Sequence, residues 1–237
     1  MKYFADDYLL LISCPNEGGG VIVVNNDLLV NKVDDLLTTG LYVDEEVCIR
    51  ALQGSEPAEL LIYDINGGLS NILLYNVGDI HDVLLYNKQL YVVSTTGNEV
   101  IKYENYKVSQ RFKLAGEDDS WHLNCLEIIN GKICVSAFGE FSLSREYKNN
   151  SLGRGVVFEL ESGNKIIQGL SQPHTPKVHG DRLYVCDSET KRVLVYDNNI
   201  LVNEFKFSLY PRGLLITESH IFVGLSASRN VSDINAN

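Results

Sequence analysis

The sequence predicts an all-β fold, a β-propeller, and three observations carry that prediction. Short β-branched and aromatic runs recur along the chain: LLLISC from 9, VCIRAL from 47, LYVVST from 90, ICVSAF from 133, LYVCDS from 183 and IFVGLS from 221. Their starts lie 38, 43, 43, 50 and 38 residues apart, and a period of about 40 residues is that of a four-stranded propeller blade. Each run also has strand-like companions. VIVVNN, LLIYDI, EVIKYE, GVVFEL and RVLVYD follow it, HDVLLYN, NCLEIIN and RGLLITE precede it, and turn formers such as YNKQ, INGK and YDNN stand between. Finally, no segment of useful length keeps apolar residues at helical spacing.

With strands lettered A to D from the central channel outward, four blades read as complete: 38–76, 79–114, 120–170 and 172–208. The first, 9–33, lacks a convincing A strand, and the last, 211–226, shows A and B before SASRNVSDINAN. The expectation is therefore one propeller domain, six-bladed, with incomplete first and last blades. Such a ring is either left open, with edges that invite another chain, or belongs to a longer parent protein.

Composition narrows the function classes. Of the 237 residues 45% are hydrophobic, which excludes disorder. No apolar run approaches the roughly 18 residues of a membrane span, and MKYFADD carries acids where a signal peptide carries lysines. A cytoplasmic protein is expected. The formal net charge of −11 argues against nucleic-acid and anionic-membrane partners, which need a cationic footprint. The five cysteines form no CxxC pair and read as inert thiols in apolar stretches.

Aligning the blades on strand B brings polar residues into register. Nine positions before strand B stand Thr38, His81, Asn124, His174 and Arg212. Two positions earlier stand Leu36, Asp79, His122, Gln172 and Tyr210; two positions later, Gly40, Val83, Leu126, Pro176 and Leu214. The channel mouth would carry imidazole, amide and guanidinium above an apolar floor, as a small-ligand pocket does. The fourth blade adds the insertion GEFSLSREYKNNSLGR, with Phe141, Arg145, Tyr147, Lys148 and Arg154; it reads equally as a lid or as a solvated excursion. Arg229 in the tail is expected on the same face. The Asp–Asp pairs at 6–7, 34–35 and 118–119 read as loop charges, Trp121 as packing, His179 and His220 as solvated turn residues. No GxGxxG, P-loop or GxSxG motif occurs.

IHDV at 80–83, WHLNCL at 121–126, GLSQPHTPKVHGDRLYVCDS at 169–188 and YPRGLL with IFVGLSASR over 210–229 resemble an uncharacterised bacterial β-propeller family. That family is a domain of unknown function, sometimes found beside tetratricopeptide or sulfotransferase segments. The resemblance implies that His81, His122, Asn124, His174 and Arg212 belong to the family's motifs. It implies no established activity. Members generally run on at the C-terminus to complete the last blade, so ring closure is where this sequence departs from them.

The expected function is binding of a small polar or anionic ligand at the channel mouth. Arg212 offers a planar fork for an oxyanion, His122 and Asn124 bind and orient, and His81 and His174 exchange protons. A reaction, if one occurs, is expected to be hydrolysis or elimination, by fold analogy. A divalent metal on His81, His122 and His174 is an alternative, because neutral imidazoles suit zinc, iron or copper. A non-enzymatic platform for a protein partner is the other reading.

Overall fold

The computed structural model describes residues 8–54 and 56–227, and within them the repeat becomes six antiparallel sheets. The first holds β1 (Tyr8–Cys14), β2 (Gly20–Asn25) and β3 (Val30–Asp34). The second holds β4 (Thr38–Val43), β5 (Val47–Leu52), β6 (Ala58–Asp64) and β7 (Leu69–Leu74). The third holds β8 (Ile80–Tyr86), β9 (Gln89–Ser94), β10 (Glu99–Glu104) and β11 (Lys107–Lys113). The fourth is β12 (Leu123–Ile129), β13 (Lys132–Ala137), β14 (Gly155–Glu159) and β15 (Lys165–Leu170), with α1 (Tyr147–Asn150) between β13 and β14. The fifth is β16 (Pro173–His179), β17 (Arg182–Asp187), β18 (Arg192–Asp197) and β19 (Ile200–Lys206), and the sixth is β20 (Tyr210–Ile216) with β21 (Ile221–Ser226).

The all-β propeller expectation holds, but the blade count does not. Among the described residues 21 strands form four complete four-stranded sheets, one of three strands and one of two, and the fold is a propeller of five blades rather than six. The physical reason is that the first and last sheets, with three and two strands, each fall short of a blade among the described residues. Asp6, Asp7 and Arg229 lie outside those residues.

Strand order follows from burial. The second and third strands of a complete sheet are covered on both faces, so they read as near-continuous apolar runs, as in β17, buried from Leu183 to Asp187, against the largely exposed β19. Hairpins close on residues that tolerate positive φ: Asn87 and Lys88 at 50° and 62°, Asn130 and Gly131 at 52° and 76°, Asn198 and Asn199 at 47° and 63°. Two successive positive φ values give the turn twist that matches flanking strands.

The chain divides into two compact units, Met1–Arg111 and Phe112–Asn237. In the first, Ile49, Leu60 and Ile62 pack face to face with Val83, Val92 and Ile101. Gly40 permits a close approach there, since a Cβ on it would sit 3.0 Å from Asp82 Cα and from Val83 N. Gly40→Val is expected to cost about 1–3 kcal/mol by overpacking; a thermal midpoint equal to wild type would refute this. In the second unit, Leu183, Val185 and Leu194 face Cys134, Val157 and Ile167, while Tyr184, Cys186 and Val195 face Leu214 and Val223. The fifth sheet thus has an apolar partner on each side, with alternate residues sent to each.

The cysteines are free thiols, with Cys48, Cys134 and Cys186 buried. Burial pushes Cys48 up to about 12 and Cys134 to about 11, far from the thiolate that reacts. Among the described residues no helix is long and apolar enough to cross a membrane.

Candidate functional site

The polar register sits where each A strand is distorted. Pairing of the first and second strands slips by one residue between Thr38 and Leu41, Ile80 and Asp82, Leu123 and Leu126, His174 and Lys177, and Pro211 and Gly213. A bulge of this kind re-aims side chains and is common beside functional sites. Just before three of these slips the backbone takes a positive φ at a non-glycine residue: Asp79 at 49°, His122 at 50° and Gln172 at 51°. Thr175, next to His174, is β-branched and still has φ 42°, an outlier that persists only when its surroundings hold it. Its hydroxyl donates to the carbonyl of Arg212.

In the second unit these distortions bring together His122, His174 and the residues around them. Nδ1 of His122 lies 2.7 Å from Asp119 Oδ1. The other carboxylate oxygen of Asp119 accepts from Arg145 Nε at 2.9 Å and from the Tyr147 hydroxyl at 2.8 Å. Burial pushes the Asp119 carboxyl up, and the bonds from His122, Tyr147 and Arg145 outweigh it, holding the group below the usual carboxylate range. Asp119 is therefore an anion, and Nδ1 of His122 must donate to it. The reading of Asp118 and Asp119 as loop charges is half corrected: Asp118 pairs with Lys113 on the surface, whereas Asp119 is only 5% exposed.

His174 is pinned through the same ring atom by different partners. Its Nδ1 lies 2.9 Å from the carbonyl of Gln172 and 2.8 Å from Ser188 Oγ. The Ser188 hydroxyl gives its own proton to the Pro211 carbonyl at 2.5 Å. Both neighbours of Nδ1 are thus acceptors, so Nδ1 carries the proton and Nε2 is the basic nitrogen of the neutral ring. Phe138 packs on both imidazoles, with ring centroids 4.4 Å from His122 and 5.3 Å from His174. Tyr147 covers His122 at 4.4 Å, and Tyr210 stands edge-on to His174 at 5.8 Å.

Arg212, half-buried, lies with its guanidinium carbon 5.2 Å above the Tyr210 ring, a contact that fixes its plane. The Tyr210 hydroxyl donates to Gln172 Oε1. Gln172 Nε2 donates to Ser151 Oγ at 2.8 Å, and Ser151 in turn to Glu189 at 2.9 Å. Asn124 is buried, and its amide donates to the His122 carbonyl at 3.0 Å, bracing the turn that carries that histidine.

The insertion between β13 and β14 proves to be a wall of this cluster. Phe138, Phe141 and Tyr147 are buried together, Arg154 lies over Phe141 at 5.7 Å, and Ser151 ties the segment to Gln172. A solvated excursion would bury none of these. Trp121 packs edge-on to Phe158, as expected.

His81 belongs to the first unit, where Nε2 lies 3.2 Å from Asp79 Oδ2 and Gln53 donates to the other carboxylate oxygen at 3.3 Å. Thr38 is fully buried and bonded to Arg50. Among the described residues no group of three or more His, Cys, Asp or Glu side chains is arranged to hold a metal ion. The side chains that sequence reasoning passed over are Asp119, Phe138, Ser188 and, in their bonding roles, Tyr147 and Gln172.

The fold and this cluster define a β-propeller with a polar, aromatic-lined cluster at the strand starts of its second unit. Residues 71–236 match the family described as Domain of unknown function (DUF4915), and the chain belongs to that family. No curated protein matches it. Solved structures that share the fold include the WD40 β-propeller domain of Doa1, at 14% identity over 90% of this chain and 72% of that one, TM-score 0.61. Another is a streptogramin B lyase, at 8% identity over 87% and 84%, TM-score 0.57. A third is BBS1N in complex with ARL6DN, at 16% over 79% and 60%, TM-score 0.51. At these identities the likeness is one of fold.

Proposed function

We propose that the second unit binds a small polar anion, with Arg212 taking the anionic group and His122 and His174 the neighbouring polar atoms. The observation that supports this above all is that both imidazoles are held in place through Nδ1, His122 by the buried Asp119 carboxylate and His174 by the Gln172 carbonyl. A histidine that served packing alone would need no buried carboxylate behind it. Arg212 adds a planar donor fork suited to carboxylate, phosphate or sulfate. The family carries no activity to transfer, and the neighbours' names span a lyase and a domain held in a complex, so the reading rests on the cluster itself.

The test is thermal unfolding of the full chain with inorganic phosphate, sulfate and short mono- to tricarboxylates. At about 100 times its dissociation constant a ligand stabilises by about 2.7 kcal/mol, a rise of about 5–10 °C for a chain of this size. His174→Ala and Arg212→Ala are expected to abolish the rise. A rise that survives both substitutions overturns the proposal. Failure of every anion, with a protein partner captured equally by wild type and variants, would favour the platform reading.

A further inference from the structure

We propose that β7, the outer edge of the second sheet, is a docking edge: an extended apolar segment of another protein, flanked by lysine or arginine, lies on it as a fifth strand. β7 belongs to the first unit, and this role is independent of anion binding in the second. The strand order β4-β5-β6-β7 gives β7 one hydrogen-bonded neighbour among the described residues. Alternate backbone N–H and C=O groups of such a strand point away from its sheet and form a template for an added strand.

Proteins ordinarily guard such edges with charge, with a bulge or with both. The outer strands of the other complete sheets follow that rule. β11 carries Lys107, Arg111 and Lys113, and β15 carries Lys165 and slips register against β14. β19 exposes Ile200, Leu201 and Val202, but it slips register against β18 and carries Glu204 and Lys206. β7 reads LSNILL, without a charge, and pairs with β6 from Tyr63↔Leu69 to Ala58↔Leu74 without a slip. Its alternate residues Ile72 and Leu74 pack on the core, which leaves Leu69, Asn71 and Leu73 on the other face. Leu69 and Leu73 are 59% and 46% exposed, and Ile65 and Tyr75 beside the strand 57% and 67%.

Charge selects the occupant. Residues 38–76 hold one basic side chain, Arg50, which has no exposed surface, against six acids: Asp44, Glu45, Glu46, Glu56, Glu59 and Asp64. Glu59 lies directly across from Leu73, and Asp64 shapes the turn into β7 by accepting from the amides of Asn66 and Gly68. Glu46 is tied to the same turn, because its carbonyl accepts from the Ile65 amide. At the far end Glu56 stands just before Ala58, the partner of Leu74. Acids thus flank both ends of an uncharged edge. A strand with apolar residues at alternate positions sets them beside Leu69 and Leu73, and cations at its ends meet the carboxylates. A second copy of this chain would bring the same acids to the edge, and like charges oppose that pairing.

The experiment adds the synthetic peptide KKVTVTVKK to the isotope-labelled full chain and reads NMR shifts and amide hydrogen exchange. The expected result is saturable binding that slows exchange at alternate amides of β7 about tenfold or more and leaves β19 unchanged. The peptide EEVTVTVEE, equally strand-forming but acidic, should bind about tenfold more weakly or worse. KKVTPTVKK, which lacks one backbone donor, should also lose affinity. Leu69→Lys with Leu73→Lys, both at exposed positions, gives β7 the guard of the other edges and should weaken KKVTVTVKK about tenfold. The two peptide controls decide the matter should that variant fail to fold. Absence of binding at millimolar peptide, binding without protection of β7, equal binding of the acidic peptide or of the proline peptide, or a folded double variant that binds as wild type overturns the proposal. Protection of those alternate amides in the free chain overturns it too: in a dimer the edge belongs to a second copy, and in a monomer the chain covers it itself.

Discussion

Asp34→Ala is expected to cost the first unit about 4 kcal/mol, the cost typical of taking the partner from a buried charge. Arg50, on β5, has no exposed side-chain surface. Its guanidinium donates to both oxygens of Asp34 at 2.6 and 2.9 Å, to the Leu36 carbonyl at 3.1 Å and to Thr38 Oγ1 at 2.8 Å. Asp34 ends β3, so the pair clamps the first sheet to the second. The carboxylate is about a quarter exposed and the cation is wholly enclosed. Losing Asp34 therefore strands a charge in low dielectric, while losing Arg50 returns a carboxylate to water. We expect Arg50→Met to be milder than Asp34→Ala, and the double variant Asp34→Asn with Arg50→Met to recover part of the loss. Denaturant midpoints of the full chain decide it: a loss below about 1 kcal/mol for Asp34→Ala, the range of exposed pairs, would refute the clamp.

That clamp also marks a limit of the sequence. Asp34–Asp35 reads as a loop charge pair because local sequence gives no sign of its partner 16 residues away. The strands themselves are legible for a simple reason. Two-sided burial turns β13 and β17 into apolar runs, and Asn-rich turns between them demand positive φ. The number of blades is less legible, because it depends on how many strands each end of the chain contributes rather than on the repeat.

The site divides in the same way. His122, Asn124, His174 and Arg212 emerge from register alone, since equivalent positions in a repeat fall at equivalent places. What holds them does not. Asp119 precedes its strand in a turn of charged and small residues, Ser188 follows β17, and Tyr147 lies in an insertion that has no counterpart in other blades. The one available signal was the insertion's content: Phe141 and Tyr147 are costly to leave in solvent, which argues for a folded segment.

Asp119→Asn is expected to cost the second unit about 2–3 kcal/mol near neutral pH, the range for hydrogen bonds to a charged group. The amide keeps the shape of the carboxylate but not its charge, and one of its atoms now donates where Tyr147 and Arg145 also donate. The pH dependence gives the sharper test. Because the folded-state Asp119 titrates below its ordinary value, the unfolded chain binds the proton first as acid is added. The stabilisation is then fully present above the ordinary aspartate value of about 3.9 and is lost as pH falls through the lower folded-state value. The part of the gap between wild type and Asp119→Asn that comes from the carboxylate's own titration should therefore shrink as pH falls below about 4. Unfolding midpoints in urea across that range report the gap. A gap that stays constant into acid would mean that Asp119 contributes through shape alone, and the charged link from Tyr147 and Arg145 to His122 would lose its energetic basis.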